Sequence, residues 1–145
     1  MKHLKGYKIF ESSHSNMNEY YFDMVYLLQD VFDDFNVVAK TDEEIGNYET
    51  PEHKFWIIRL IDSDNPYGVS DISDISEVGD KTVKHIVAFN ITPPEKEDFK
   101  KRLDEVGDRF VSQTGMRYKI DEEEVDGYFF DYVIKIQNPP GVDNI

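Results

Sequence analysis

The chain has 145 residues, a net charge of −14 and no cysteine. That length suits one domain able to bury its own core. Thirty acidic against sixteen basic residues repel nucleic-acid phosphates and anionic lipid heads, which argues against direct nucleic-acid or membrane-surface binding. The missing cysteines exclude disulfides, thiolate zinc sites and cysteine nucleophiles, and fit a reducing compartment. Aromatic residues make up 14% of the chain, with nine Tyr and ten Phe, so a core is expected despite 32% charged residues.

Residues 1–15 read as a polar lead-in. Asn16 and Glu19 are spaced as a capping box, and Tyr20, Met24, Leu27, Leu28, Val31 and Phe35 follow at helical spacing. Asp33 and Asp34 would oppose the dipole at a helix C-terminus, so the helix is expected to stop near Phe32. Residues 35–40 read as a short strand, and 41–54, with Gly46 and Pro51, as an acidic connection. In residues 55–61 the side chains of Trp56, Ile58 and Leu60 point one way and those of Phe55, Ile57 and Ile61 the other, the mark of a central strand.

Residues 62–82 form a connection of about twenty residues, long enough in a small domain to suggest a functional loop. Within it Val69, Ile72 and Ile75 are spaced for one helical turn. A strand follows, with Val83, His85, Val87, Phe89 and Ile91 expected inward and Lys84, Ile86, Ala88 and Asn90 opposite. Thr92-Pro-Pro-Glu95 opens a second helix, with Thr92 as cap, Pro at the first helical position and Glu95 closing a capping box. Phe99, Leu103, Val106 and Phe110 form its apolar stripe, and Gly115 its left-handed end. The pairs Glu97–Lys101, Asp98–Arg102 and Glu105–Arg109 are spaced for surface ion pairs.

A hairpin closes the domain. A three-residue loop with Gly127 left-handed sets Glu124 opposite Tyr128, Ile120 opposite Tyr132, Tyr118 opposite Ile134 and Met116 opposite Ile136. Arg117, Lys119, Asp131 and Lys135 then share the other face. The tail from Asn138 contains Pro-Pro-Gly. The predicted order is α-β-β-β-α-β-β. It implies a single α+β domain over residues 16–137, a two-layer sandwich of two helices on one face of a mainly antiparallel sheet of about five strands.

Few residues are arranged for chemistry. The spacings of His3, His14, His53 and His85 match no zinc motif. Asp62-Ser-Asp64-Asn65 opens like a calcium loop, but Pro66, Tyr67 and Ser73 occupy positions where an EF-hand needs a ligand, Gly and Glu. Glu122, Glu123 and Glu124 stand at a hairpin tip, which makes them a solvated face. Phosphate-binding glycine loops and the nucleophile elbow are absent, and Ser12-Ser13-His14-Ser15 is too local to hold a nucleophile against a base. No cofactor or metal is expected.

The first residues, Met-Lys-His-Leu-Lys-Gly-Tyr-Lys-Ile-Phe-Glu-Ser, resemble the leaders of small proteins of large tailed bacteriophages. In that group a prohead protease cuts after an aliphatic-x-Glu site and the leader directs proteins into the capsid. The resemblance implies cleavage between Glu11 and Ser12, with Phe10 standing where small residues are usual. It also implies a phage accessory or virion-associated protein, cytoplasmic in the host cell or packaged in the virion.

Charge supplies the functional expectation. Residues 41–80 hold eleven acids and two bases. Glu43, Glu44, Asp62, Asp64, Asp71 and Asp74 are the expected contacts to a protein partner with a basic surface, through steering and rim contacts. Two other readings carry different signatures. A nucleic-acid mimic needs carboxylates along one ridge, and a small hydrolase needs a pocket joining His85 to a carboxylate.

Overall fold

In the computed structural model the described residues are 17–39, 53–61 and 81–139. They fold as α1 (Met17–Asp34), β1 (Val38–Ala39), β2 (Phe55–Leu60), β3 (Val83–Ile91), α2 (Pro93–Thr114), β4 (Arg117–Val125) and β5 (Phe129–Gln137). The order is the expected one, and the expected α+β architecture is present. The strands lie in the order β1-β2-β3-β5-β4. The β1–β2 pair is parallel and the other three are antiparallel. Asn16, the first capping residue, lies outside the described residues.

Helix α1 runs past the expected stop at Phe32. Two features permit the acidic end. Arg102 of α2 reaches Asp34 at 2.9 Å, placing a cation where the dipole is negative. Asn36 then adopts φ 58°, Val37 N–H donates to Phe32 C=O at 2.8 Å and Asn36 N–H to Asp33 C=O at 3.2 Å. This is a Schellman ending with Asn in the left-handed position. The turn consumes residues expected in a strand, so β1 is only Val38–Ala39.

Buried Tyr20, Tyr21, Met24, Val25, Leu27, Leu28, Val31 and Phe32 cover a wide arc of α1. Helix α2 buries a narrow stripe, Phe99, Leu103, Gly107 and Phe110, with Val106 packed against it. Phe99 is the keystone. Its ring meets Phe35 edge-on at 5.2 Å, Tyr132 at 5.2 Å and Phe32 at 6.4 Å, while Phe32 stacks on Trp56 at 5.0 Å. Gly107 belongs to the stripe because the ring of Tyr118 lies where any Cβ would stand. The Tyr118 hydroxyl donates toward Asp108 Oδ1 at 3.3 Å, and burial with the nearby carboxylates pushes it up to about 12.

The α2 cap differs in detail from the expected box. Thr92 is the cap and the carbonyl accepts from Glu95 and Lys96, but its hydroxyl donates to Glu95 Oε2 at 3.2 Å rather than capping an amide. Glu95 is held by Lys54, just before β2, at 2.9 and 3.0 Å. The expected pairs Glu97–Lys101, Asp98–Arg102 and Glu105–Arg109 do not form. Among the described residues the cations of α2 instead reach Asp34, Glu105, Asp104 and Glu122. Pairs that also tie α2 to α1 and β4 win because tertiary packing has already fixed those elements.

The hairpin keeps the expected faces but in a shifted register. Glu124 pairs with Phe130, Ile120 with Ile134 and Tyr118 with Ile136, so each partner lies two residues beyond expectation. Asp126 and Gly127 both have positive φ, 57° and 73°, as in a type I′ turn, and Tyr128 N–H donates to Val125 C=O at 3.3 Å. Tyr128 is an extra residue after that turn. It preserves the parity that keeps Tyr132, Ile134 and Ile136 in the core. Gly115 ends α2 at φ 77° as expected, its N–H donating to Val111 C=O at 2.9 Å.

Tyr21 locks α1 to the sheet. Its hydroxyl donates to Lys84 C=O at 3.0 Å and accepts from Ile136 N–H at 3.1 Å, standing between two neighbouring strands where the ladder would otherwise continue. At the same end of β3, Asn18 binds Val83 N–H at 2.9 Å and Lys81 C=O at 2.6 Å.

Candidate functional site

The pleat gives the sheet two faces. Helices α1 and α2 pack on the face of Trp56, Ile58, Leu60, Ile86, Ala88, Tyr132, Ile134 and Ile136. The opposite face carries a separate apolar cluster, Phe55, Ile57 and Val87, with Phe89 and Val133 against it. His85 belongs to this outer face, correcting the expectation that it points inward. The expected inward set holds at its two ends and fails in its middle, where His85, Val87 and Phe89 face outward. Irregularities at Arg59/Leu60 and at Ala88/Ile91 bring Val83 and Ile91 into the helical core while the middle of β3 keeps strict alternation. Asn90, at φ 65°, marks the second irregularity, and its side chain donates to His53 C=O at 2.9 Å.

Register sorts the outer face into three rows. Ile57 pairs with Val87, Val87 with Val133 and Val133 with Asp121, which gives a mainly apolar middle row. On one side Arg59 pairs with His85 and Lys135 with Lys119. Because Ile86 pairs with Ile134, His85 and Lys135 are neighbours, so Arg59, His85, Lys135 and Lys119 form one row across four strands. On the other side Phe55 stacks on Phe89 at 4.7 Å and Asp131 pairs with Glu123.

The two charged rows perturb their own members. Burial, reinforced by the charges of Arg59, Lys84 and Lys135, lowers His85 to about 4. Its exposure is 5%, and neither ring nitrogen has a hydrogen-bond partner. Burial, with the like charge of Glu123, raises Asp131 to about 6, against a hydrogen bond from Asn90 N–H that pulls the other way. The second oxygen, Oδ1, is buried without a partner.

This environment does not suit a general base. Such a histidine needs an orienting carboxylate and a pKa near the working pH, whereas the charges felt by His85 are cations. The groove of about 180 Å³ between α1 and α2, walled by Leu27, Val31, Arg102 and Val106, lies on the other side of the sheet. Among the described residues there is no cluster of three His, Asp or Glu able to hold a metal ion, and no helix is long and apolar enough to cross a membrane.

The expected partner contacts Glu43, Glu44, Asp62, Asp64, Asp71 and Asp74 lie outside the described residues, as do the cleavage position Glu11–Ser12, the calcium-like Asp62–Asn65 stretch, the turn at Val69, Ile72 and Ile75, His3 and His14. What is described is where those acidic segments join the sheet. One joins β2 at His53 and the other follows Ile61, so the joins flank a strand roughly 17 Å long by the usual rise per residue. The described residues hold 17 acids against 12 bases, and the rest of the excess acid falls elsewhere in the chain.

Arg59, Lys119, Lys135 and Asp131 were visible in the sequence only as surface charges. Their assembly into rows depends on strand order, which puts β5 between β3 and β4. Comparison of the chain with protein-family models, with curated proteins and with solved structures finds no match.

Proposed function

We propose that the chain is a non-enzymatic acidic module that binds a protein with a basic surface, as an accessory or virion-associated protein of a bacteriophage. The observation that carries the reading is the concentration of eleven acids against two bases in residues 41–80. These segments join the sheet at the two ends of β2, a strand buried on both faces. A sheet strand held this way is a firm base from which charge can meet a partner. Long-range attraction of this kind speeds encounter and sets orientation, and it weakens with salt. The phage assignment rests on the leader-like residues 1–12 alone.

The test is a binding measurement on a partner captured from the native host. Between 50 and 300 mM sodium chloride the affinity is expected to fall about tenfold or more. Combined neutralisation of Glu43, Glu44, Asp62, Asp64, Asp71 and Asp74 to their amides should remove most of that salt dependence. A partner held equally at both salt concentrations by the native chain would defeat the reading. The intact mass of the protein from virions reports separately on cleavage after Glu11.

A further inference from the structure

We infer that β4 is a self-pairing edge, on which a second copy of this chain docks its own β4 antiparallel about a two-fold axis at Ile120. Strand β4 ends the sheet. Among the described residues it is bonded to β5 alone, so its outer row of backbone N–H and C=O groups is open to another strand. Its side chains are open too, since Arg117, Lys119, Asp121, Glu122, Glu123 and Glu124 are all exposed. Charges on an edge ordinarily block indiscriminate pairing, and here they select one register.

Residues opposed across two strands share a face, so a two-fold axis normal to the sheet passes through a residue that meets its own copy. An axis on any charged residue of β4 sets like charges together. An axis on Tyr118 sets Arg117 against Lys119, and one on Val125 sets Glu124 against Asp126. Ile120 remains. That axis places Lys119 against the partner's Asp121 and Arg117 against the partner's Glu123, with Tyr118 against the partner's Glu122.

The hairpin supplies a second observation. Lys119 pairs with Lys135 and Glu123 with Asp131, so β4 and β5 oppose like charges twice on the outer face, which costs stability. The Ile120 register sets an opposite charge on the open side of each pair, the partner's Asp121 beside Lys119 and the partner's Arg117 beside Glu123. Glu123 makes no ion pair among the described residues, and Lys119 reaches only Asp121 of its own strand, at 3.6 Å. The acidic connections join the sheet at β2, and β3 and β5 stand between β2 and this edge.

None of these residues belongs to the proposed partner contacts, so either reading can fail without the other. An interface of one strand pair is small, and a weak dimer is expected. The test is sedimentation equilibrium of the full chain from about 10 to about 500 μM, over which the native protein should pass from monomer to dimer. Lys119→Glu and Asp121→Lys, both at exposed positions, should each weaken dimerisation about tenfold or more. Asp121→Lys also lowers the net negative charge, so general repulsion between copies predicts the opposite sign for it. An equimolar mixture of the two variants should recover the dimer, because the substituted positions are then complementary across the axis. Deuterium exchange of the native chain needs no variant to fold. At high concentration it should slow at amides within 117–123. A native chain that stays monomeric, a dimer without protection in β4, or a mixture no more associated than either variant alone would overturn the self-pairing edge.

Discussion

The helix-covered face of the sheet is one continuous apolar core from Met24 of α1 to Ile136 of β5, with Phe99 stacked between α1 and the sheet. The outer face has a smaller apolar strip hemmed by a basic row on one side and carboxylates on the other. Both faces arise from the same period-two pattern. The inner face gains its stability from burial, while the outer face holds polar atoms without partners and groups moved from their ordinary pKa values. Such perturbed groups concentrate where proteins do something besides fold.

Five measurements sharpen or break that contrast, beginning with the largest effect. Phe99→Ala is expected to lose about 3–5 kcal/mol in urea unfolding, because it empties the centre of the inner core. Phe89→Ala, on the half-buried edge of the outer strip, should lose less than half as much. Equal losses would end the distinction between the faces.

Tyr21→Phe should cost about 1–3 kcal/mol, since it leaves the buried Ile136 N–H without its acceptor. A variant as stable as the native chain would show that the hydroxyl does not lock α1 to the sheet. Gly107→Ala is opposed by the Tyr118 ring and favoured by helix propensity. Overpacking of about 1–3 kcal/mol outweighs the ~1 kcal/mol propensity gain, so a net loss is expected. In a Tyr118→Ala background the same change should become stabilising.

The fourth measurement is the pH dependence of stability. His85 takes a proton near 6.5 in the unfolded chain and near 4 in the fold, so acidification from 6.5 to 4 favours unfolding. The full shift would correspond to about 3 kcal/mol, and solvent screening of the half-buried row reduces this to roughly 1–2 kcal/mol. His85→Gln should remove that fall. Asp131 acts oppositely. Its folded value of about 6 exceeds the ordinary 3.8, so its contribution to stability is full below 3.8 and lost as pH rises through 6. The fifth and smallest effect follows: Asp131→Asn should raise stability at pH 7 by about 1 kcal/mol, keeping an acceptor for Asn90 N–H. A thermal midpoint at pH 7 that falls in this variant would contradict the buried-charge account.

Much of this architecture was legible along the chain. Thr92-Pro-Pro-Glu95 and Gly115 bound α2 through conformational preferences that act within a few residues, and the alternation in 55–61 and 116–136 separates two faces. The local signals failed where a distant partner changed the balance. Asp33 and Asp34 look wrong for a helix end until Arg102 arrives from α2. Asn36 could have been read as a left-handed stop, since asparagine follows glycine in that preference. Tyr128 could not be placed, because a three-residue loop fits two registers of the same parity. For the site, His85 was legible as a strand residue but its face was not, because the irregularities that flank it leave no mark on the apolar pattern.

Composition and spacing by themselves determined the class of fold, the order of elements, the α2 boundaries and the strong negative charge, since each depends on local preference or on a plain sum over residues. Tertiary structure alone decided which strands are neighbours. Charges far apart in sequence become a row only when β5 inserts between β3 and β4, because pairing across a sheet is a long-range choice that no short stretch of chain encodes.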